Sequence, residues 1–172
     1  MRAEIKQPEN SMTSGPRRAQ PVSEEPLQIV SFRVGSEEFG LDILCVREII
    51  RHQHLTRVPN SPAFVDGVIN LRGQVIPVVA LHKLFAVERP PHPLLARIVV
   101  LEVQQMLLGF IVDSVPEVLR MASGSVVAPP QFGKVQRDYV CGMARFEERL
   151  LILLDADRIL ASLKGAASPV SS

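Results

Sequence analysis

The stretch from Val58 to Leu81, VPNSPAFVDGVINLRGQVIPVVAL, constrains the fold more tightly than any other part of the chain. It reads as two short strands broken at Asn70-Leu71-Arg72-Gly73, and the second strand is almost wholly apolar. Gly67 and Gly73 supply the backbone freedom that bends and tight turns need. Pro77 sits inside the apolar run and removes a ladder donor there. Such a residue belongs at an edge, at a bulge or where a strand crosses between sheets, not in a plain central strand. Arg72, between an apolar residue and the turn glycine, is expected to project from a strand end.

The remaining segments follow the same pattern. Leu27–Val34, Glu38–Leu41, Glu48–Arg51, Val65–Leu71, Gln74–Ala80, Arg97–Val103, Met106–Val112, Val115–Met121, Tyr139–Phe146 and Arg149–Leu154 read as short strands separated by turn residues. Asp42 is placed to cap a short helix over Ile43–Val46, Leu81–Phe85 reads as a helical turn, and 123–137 as a loop. Val115–Met121 is expected to extend the hairpin before it. Asp155 caps a final helix through Leu163, with Asp157 in its first turn, where acids favour the positive end of the dipole. Many short strands with little helix predict an all-β barrel or sandwich. Residues 1–26, with four prolines among polar residues, are expected to be a flexible arm, 27–163 the folded domain and 164–172 a flexible tail.

Composition narrows the function. With 172 residues and 47% apolar content, one domain with a real core is expected. A net charge of +1, one Tyr and no Trp give nucleic acid no basic stripe and few stacking platforms. The start has no apolar segment of a signal peptide, and no run approaches a membrane span, so a cytoplasmic protein is expected. Cys45 and Cys141 are far apart and read as two buried cytosolic thiols, without a metal or redox spacing.

No reactive constellation stands out. His52 and His54 share one face of a strand, but a metal needs more ligands, and His82 and His92 join only through folding. Ser123-Gly124-Ser125 lacks the setting of a nucleophile elbow. Asp113 and Asp155 do acid–base work only if folding brings them together. Met106 and Met121 read as core fillers. No phosphate-cradling loop is present. No enzyme, cofactor or metal is expected, and a protein-binding surface is.

Several blocks in order carry a resemblance. They are FRVGSEEFGL at Phe32–Leu41, Val46-Arg47-Glu48-Ile49, Val58-Pro59-Asn60-Ser61-Pro62, Gly67, the NLRG turn at Asn70–Gly73 and Ile76-Pro77-Val78. GFIVDSVPEV at Gly109–Val118, Cys141-Gly142 and Ile152-Leu153-Leu154-Asp155 follow. Together, over Leu27–Leu163, they resemble the CheW family of bacterial chemosensory coupling proteins. The resemblance implies two interwoven, five-stranded, SH3-like β-barrel subdomains sharing a hydrophobic core, with short helices including a C-terminal one. It implies a non-catalytic adaptor joining chemoreceptor cytoplasmic hairpin tips to the regulatory domain of a CheA-type histidine kinase. Other CheW-like domains in array rings are implied partners, and association with membrane arrays would run through protein contacts alone. Carried over residue by residue, Val46, Gly67, Arg72, Gly109, Val115 and Val118 face the receptor. The valines would supply apolar contact, the glycines close approach and Arg72 its fork of donors. Glu48 would tune receptor or kinase coupling.

The chain departs from the family at Ala80, where Asp is frequent, in its long N-terminal arm and in the basic Arg51-His52-Gln53-His54 run. These keep a second reading open: a solitary CheW-like scaffold or competitor binding one partner, in a motility or second-messenger pathway.

Overall fold

Strand patterning sorts the chain into two sheets with a shared interior. The structure, a computed structural model, describes residues 26–88, 93–129 and 138–167. The expected arm therefore lies outside the described residues, except Pro26. The strands are β1 (Leu27–Val34), β2 (Glu37–Asp42), β3 (Val46–Arg51), β4 (Val65–Leu71), β5 (Gln74–Ala80), β6 (Arg97–Val103), β7 (Met106–Val112), β8 (Ser114–Met121), β9 (Val126–Val127), β10 (Val140–Phe146) and β11 (Arg149–Leu154). Helix α1 spans Leu81–Leu84 and α2 spans Ala156–Ala167, so α2 runs past the expected stop at Leu163. One sheet has the order β9-β10-β11-β2-β1-β8, the other β3-β6-β7-β5-β4. Since β9 is only two residues, each sheet has five full strands, as the family resemblance implied.

Two local expectations change. Val115–Met121 does not extend the β6–β7 hairpin: β8 leaves that sheet and pairs with β1 in the other. Asp113 marks the crossing, its backbone N–H bonding Arg33 and its carboxylate accepting from Gly35 N at 2.7 Å. Sequence proximity favours a third strand beside the hairpin, but the apolar face of β8 finds its cover on β1. The helix predicted over Ile43–Val46 is a single 3₁₀ turn, Ile43–Cys45, capped by Asp42 as expected. Val46 already belongs to β3.

Pro77 lies in β5, an interior strand, which its lack of an N–H argues against. Its surroundings resolve the conflict. Pro77 faces Val68 on one side, while the parallel pairing with β7 begins only at Val78. At this position β5 is locally an edge, so no ladder bond to β7 is lost.

The pairing scheme is the same in both sheets. From β8, and from β3, it runs antiparallel, antiparallel, parallel, antiparallel. Val78 opposes Gly109 as Leu153 opposes Gly40. A Cβ on Gly109 would lie 2.8 Å from Ile98 Cγ2, and one on Gly40 2.5 Å from Ile29 Cγ2. The edge strands repeat in sequence, Val46-Arg47-Glu48-Ile49-Ile50-Arg51 against Val115-Pro116-Glu117-Val118-Leu119-Arg120. The two halves of the chain are thus one plan used twice, hairpin then three strands, with the three strands exchanged. Hairpin β1–β2 is completed by β8, β10 and β11, and hairpin β6–β7 by β3, β4 and β5.

Burial follows from this. Each sheet has its own apolar cluster on one face, around Ile29, Leu119 and Leu151 in one and Ile76, Ile98 and Ile111 in the other. The opposite faces share a central cluster with Phe32, Phe39, Leu101 and Phe110, closed by Leu81 and Phe85 near α1 and Ile159 and Leu160 on α2. Strands buried on both faces read as continuous apolar runs, which explains Ile98–Leu101. Phe39 stacks between Phe32, at 6.1 Å, and Phe85, at 5.0 Å.

Two glycines separate strain from crowding. Gly67 has φ 151°, and a Cβ there would lie 2.5 Å from the Thr56 carbonyl oxygen; Gly73 has φ 85° with open space around it. Gly67→Ala is expected to cost about 2–4 kcal/mol and Gly73→Ala about 1 kcal/mol in denaturant titrations. Equal losses would show that the Thr56 crossing does not set the cost.

Candidate functional site

The β4–β5 hairpin turns on Arg72 and Gly73, both with positive φ (51° and 85°), between the paired Leu71 and Gln74. Two left-handed residues match the twist of such a hairpin. Asn70 Oδ1 accepts from the Gly73 backbone N–H at 3.0 Å and fixes the turn. Arg72 therefore stands at a strand end, as expected, and reaches Glu48 on β3. Its two terminal nitrogens donate to the two carboxylate oxygens at 2.7 and 2.8 Å. This fork-on-fork geometry suits Arg and not Lys.

The pair joins opposite edges of one sheet, because β3 and β4 are its first and last strands. Thr56, beyond β3, adds a second link through reciprocal 2.9 Å backbone bonds with Val68. Hydrogen bonding to Arg72 holds the Glu48 carboxyl below its ordinary pKa and Glu48 raises that of the guanidinium. Both side chains remain partly solvent-exposed.

The other expected site residues are distributed around this pair. Glu48, Val100, Gly109, Val78 and Gly67 form one register row across the five-stranded sheet. Gly67 and Gly109 are buried in that row, and the places their side chains would take are held by Thr56 and Ile98. Val46 on β3 and Val115 on β8 come from different sheets, yet both pack on the central cluster. Val118 on β8 is 48% exposed. The fold thus brings Val46 and Val115 to a common interior and pairs Arg72 with Glu48; Val118 stands at the surface of the second sheet.

Sequence reasoning missed a counterpart. Arg149, at the β10–β11 hairpin, donates to Glu117 on β8 at 3.1 Å and is also paired with Glu38 on β2. Glu117 occupies in its sheet the position of Glu48, and the hairpins correspond. The repeated V-x-E-[IV]-[IL]-R signalled its acid, Glu117, and not the arginine. Other polar residues serve the fold. Asp113 holds the Gly35 turn, and Asp155 accepts from Arg158 N at 3.2 Å at the start of α2. Ala80, the last residue of β5, precedes α1 at the N-cap position and makes no side-chain cap bond. His52 and His54 are exposed. Among the described residues no three His, Cys, Asp or Glu side chains converge as metal ligands. No described helix is long and apolar enough to cross a membrane.

The profile of the CheW-like domain matches residues 28–164, nearly the whole described body. The chain belongs to the CheW-like family. It is 34% identical over 146 residues to a chemotaxis protein CheW of Treponema pallidum (strain Nichols), covering 82% of this chain and 86% of that protein. A chemotaxis protein CheW of Klebsiella aerogenes is 35% identical over 136 residues, covering 78% and 82%. The crystal structure of the scaffolding protein TtCheW from Thermoanaerobacter tengcongensis superposes with a TM-score of 0.72 at 34% identity, covering 76% of this chain and 89% of that one. The CheW-like fold was thus correctly anticipated from the ordered motifs.

The depressed pKa of Glu48 has a defined consequence. The pair contributes to stability above the unfolded carboxyl pKa, and that contribution is lost as pH falls through the folded value. In Arg72→Ala the Glu48 carboxyl should titrate at higher pH than in the parent chain, read by carbon-detected NMR. An unmoved midpoint would remove Arg72 as the cause.

Proposed function

We propose that this CheW-like chain is a non-catalytic chemosensory adaptor, coupling the cytoplasmic hairpin tips of chemoreceptors to the regulatory domain of a CheA-type histidine kinase. The observation that carries this reading is the match of a CheW-like domain over 28–164, with relatives named as chemotaxis proteins and a neighbour titled a scaffolding protein. Described groups with chemical potential, Asp113 and Asp155 among them, are engaged in turns and caps, which agrees with a binding role.

In this proposal the receptor meets Val46, Arg72, Val115 and Val118. Gly67 and Gly109 contribute by letting Thr56 and Ile98 pack beneath, so that the sheet keeps its shape under the partner. An amphipathic helical hairpin seats by its apolar face and leaves polar groups at the rim. The valines suit the first requirement and the Arg72 fork the second. Glu48 orients that fork, so its effect on coupling runs through Arg72. Repetition of such contacts in an array gives strength that a single pair need not have. The protein would lie in the cytoplasm and reach the membrane only through its partners.

The test is binding of the purified chain to two separate fragments, a receptor tip and a kinase regulatory domain. Both are expected to bind. Arg72→Ala should weaken the receptor arm about 5- to 10-fold and leave kinase binding and the circular dichroism spectrum unchanged. Binding of only one fragment would support instead a solitary scaffold or competitor. Binding of neither would sink the adaptor reading.

A further inference from the structure

The outer strand β8 carries both Val115 and Val118 and has one ladder partner, β1; among the described residues no strand pairs with its other edge. That single ladder is interrupted beside the valines. Ser31 lies opposite Glu117 and Arg33 opposite Ser114, so one residue of β1, Phe32, faces two of β8, Val115 and Pro116. Such a bulge bends the strand and leaves its extra residue unpaired. β3 is built the same way: Val46 lies opposite Leu101 and Glu48 opposite Val100, with Arg47 as the extra residue. In both strands the bulge immediately precedes the acid of the V-x-E repeat.

Side chains hold β8 where the ladder stops. Ser31, fully buried, donates from Oγ to the Glu117 carbonyl at 3.1 Å. Arg149 donates from Nη1 to the Glu117 carboxylate, also at 3.1 Å. Arg149 is in turn fixed from two further sides. Its Nε donates to one oxygen of Glu38 at 3.2 Å and its Nη2 pairs with the other, on a carboxylate only 8% exposed. Its guanidinium also lies over the Phe146 ring, 5.7 Å from the centroid. A planar fork gripped in this way has a fixed direction, so the second carboxylate that it binds is placed as well.

We propose that Arg149 is a positioning residue for receptor binding: through Glu117 it sets the bulge of β8, and with it the places of Val115 and Val118. The assignment rests on the adaptor reading given above. Glu117 precedes Val118 directly and follows Val115 by two residues, so a shift of its carboxylate moves both valines. Arg149 touches no partner in this role. The two arginines then share one task on two strands. Arg72 steadies the acid after the β3 bulge and offers donors at the surface, whereas Arg149 steadies the acid after the β8 bulge and offers none.

Glu117→Ala and Arg149→Lys in the full chain test this. Glu117→Ala leaves Arg149 paired with Glu38, and Arg149→Lys leaves Glu38 a cation, so neither strands the buried acid. Each should weaken receptor-tip binding about 3- to 10-fold, and the double variant no more than the worse single one, because both break the same link. Binding of the kinase regulatory domain should not change. In the free chain the methyl order parameters of Val115 and Val118 should fall in both variants, while those of Val46 hold. A lower melting temperature with receptor binding and those methyls unmoved would overturn the proposal, by leaving Arg149 a structural role only. Weakening by Glu117→Ala with none by Arg149→Lys would overturn it too, by making Glu117 a direct contact. If the unsubstituted chain binds no receptor tip, the adaptor reading falls and this assignment with it; if it binds and both variants match it, this assignment alone falls.

Discussion

The central apolar cluster governs the molecule, because neither half of the chain can form its sheet alone. Phe32 and Phe39 come from one sheet and Leu101 and Phe110 from the other, and the faces that carry them are buried only against each other. Each sheet in turn takes its hairpin from one half of the chain and its remaining strands from the other. Packing and topology therefore enforce the same outcome. A change that loosens the cluster acts on both sheets together, and the helices closing its ends, through Leu81 on α1 and Ile159 on α2, are part of the same unit.

The ion pairs at the hairpins rest on that frame. Glu48–Arg72 and Glu117–Arg149 occupy corresponding places, but their settings differ. Arg72 has one carboxylate partner and is largely exposed. Arg149 is shared between Glu117 and Glu38, and Glu38 is only 8% exposed. An exposed pair gains little in stability and leaves its donors accessible. A half-buried triad is costly to break, because removal of one member strands a charge. One plan thus yields a surface group available to a partner in the first sheet and a structural clasp in the second.

What was legible in the sequence was local or rested on ordered motifs. The turn at Arg72-Gly73, the Asp42 and Asp155 caps and nearly all strands could be read from neighbouring residues. The assignment of β8 could not, because a strand following a hairpin is locally indistinguishable from a strand that crosses to another sheet. Pro77 misled for a related reason: whether it breaks a ladder depends on where β7 begins to pair, a fact of tertiary register. The Glu48–Arg72 contact joins residues far apart in sequence on opposite sheet edges. Both residues were singled out, yet nothing between them announced a bond. The repeated V-x-E-[IV]-[IL]-R was visible and pointed to the second acid, Glu117, but not to its arginine, which opens the strand after the turn, two residues beyond Glu147, the counterpart of Arg72.

The exchanged strands carry a kinetic consequence. Hairpin β1–β2 forms from adjacent residues, whereas its partners β8, β10 and β11 come from the far end of the chain. Until they arrive, both of its edges offer unpaired backbone groups to any strand in reach. Closing such distant contacts is slow, and during synthesis the early hairpin is a half-finished template. A neighbouring nascent chain of the same sequence could supply the missing strands equally well, so entangled dimers are the natural misfolding product of this topology.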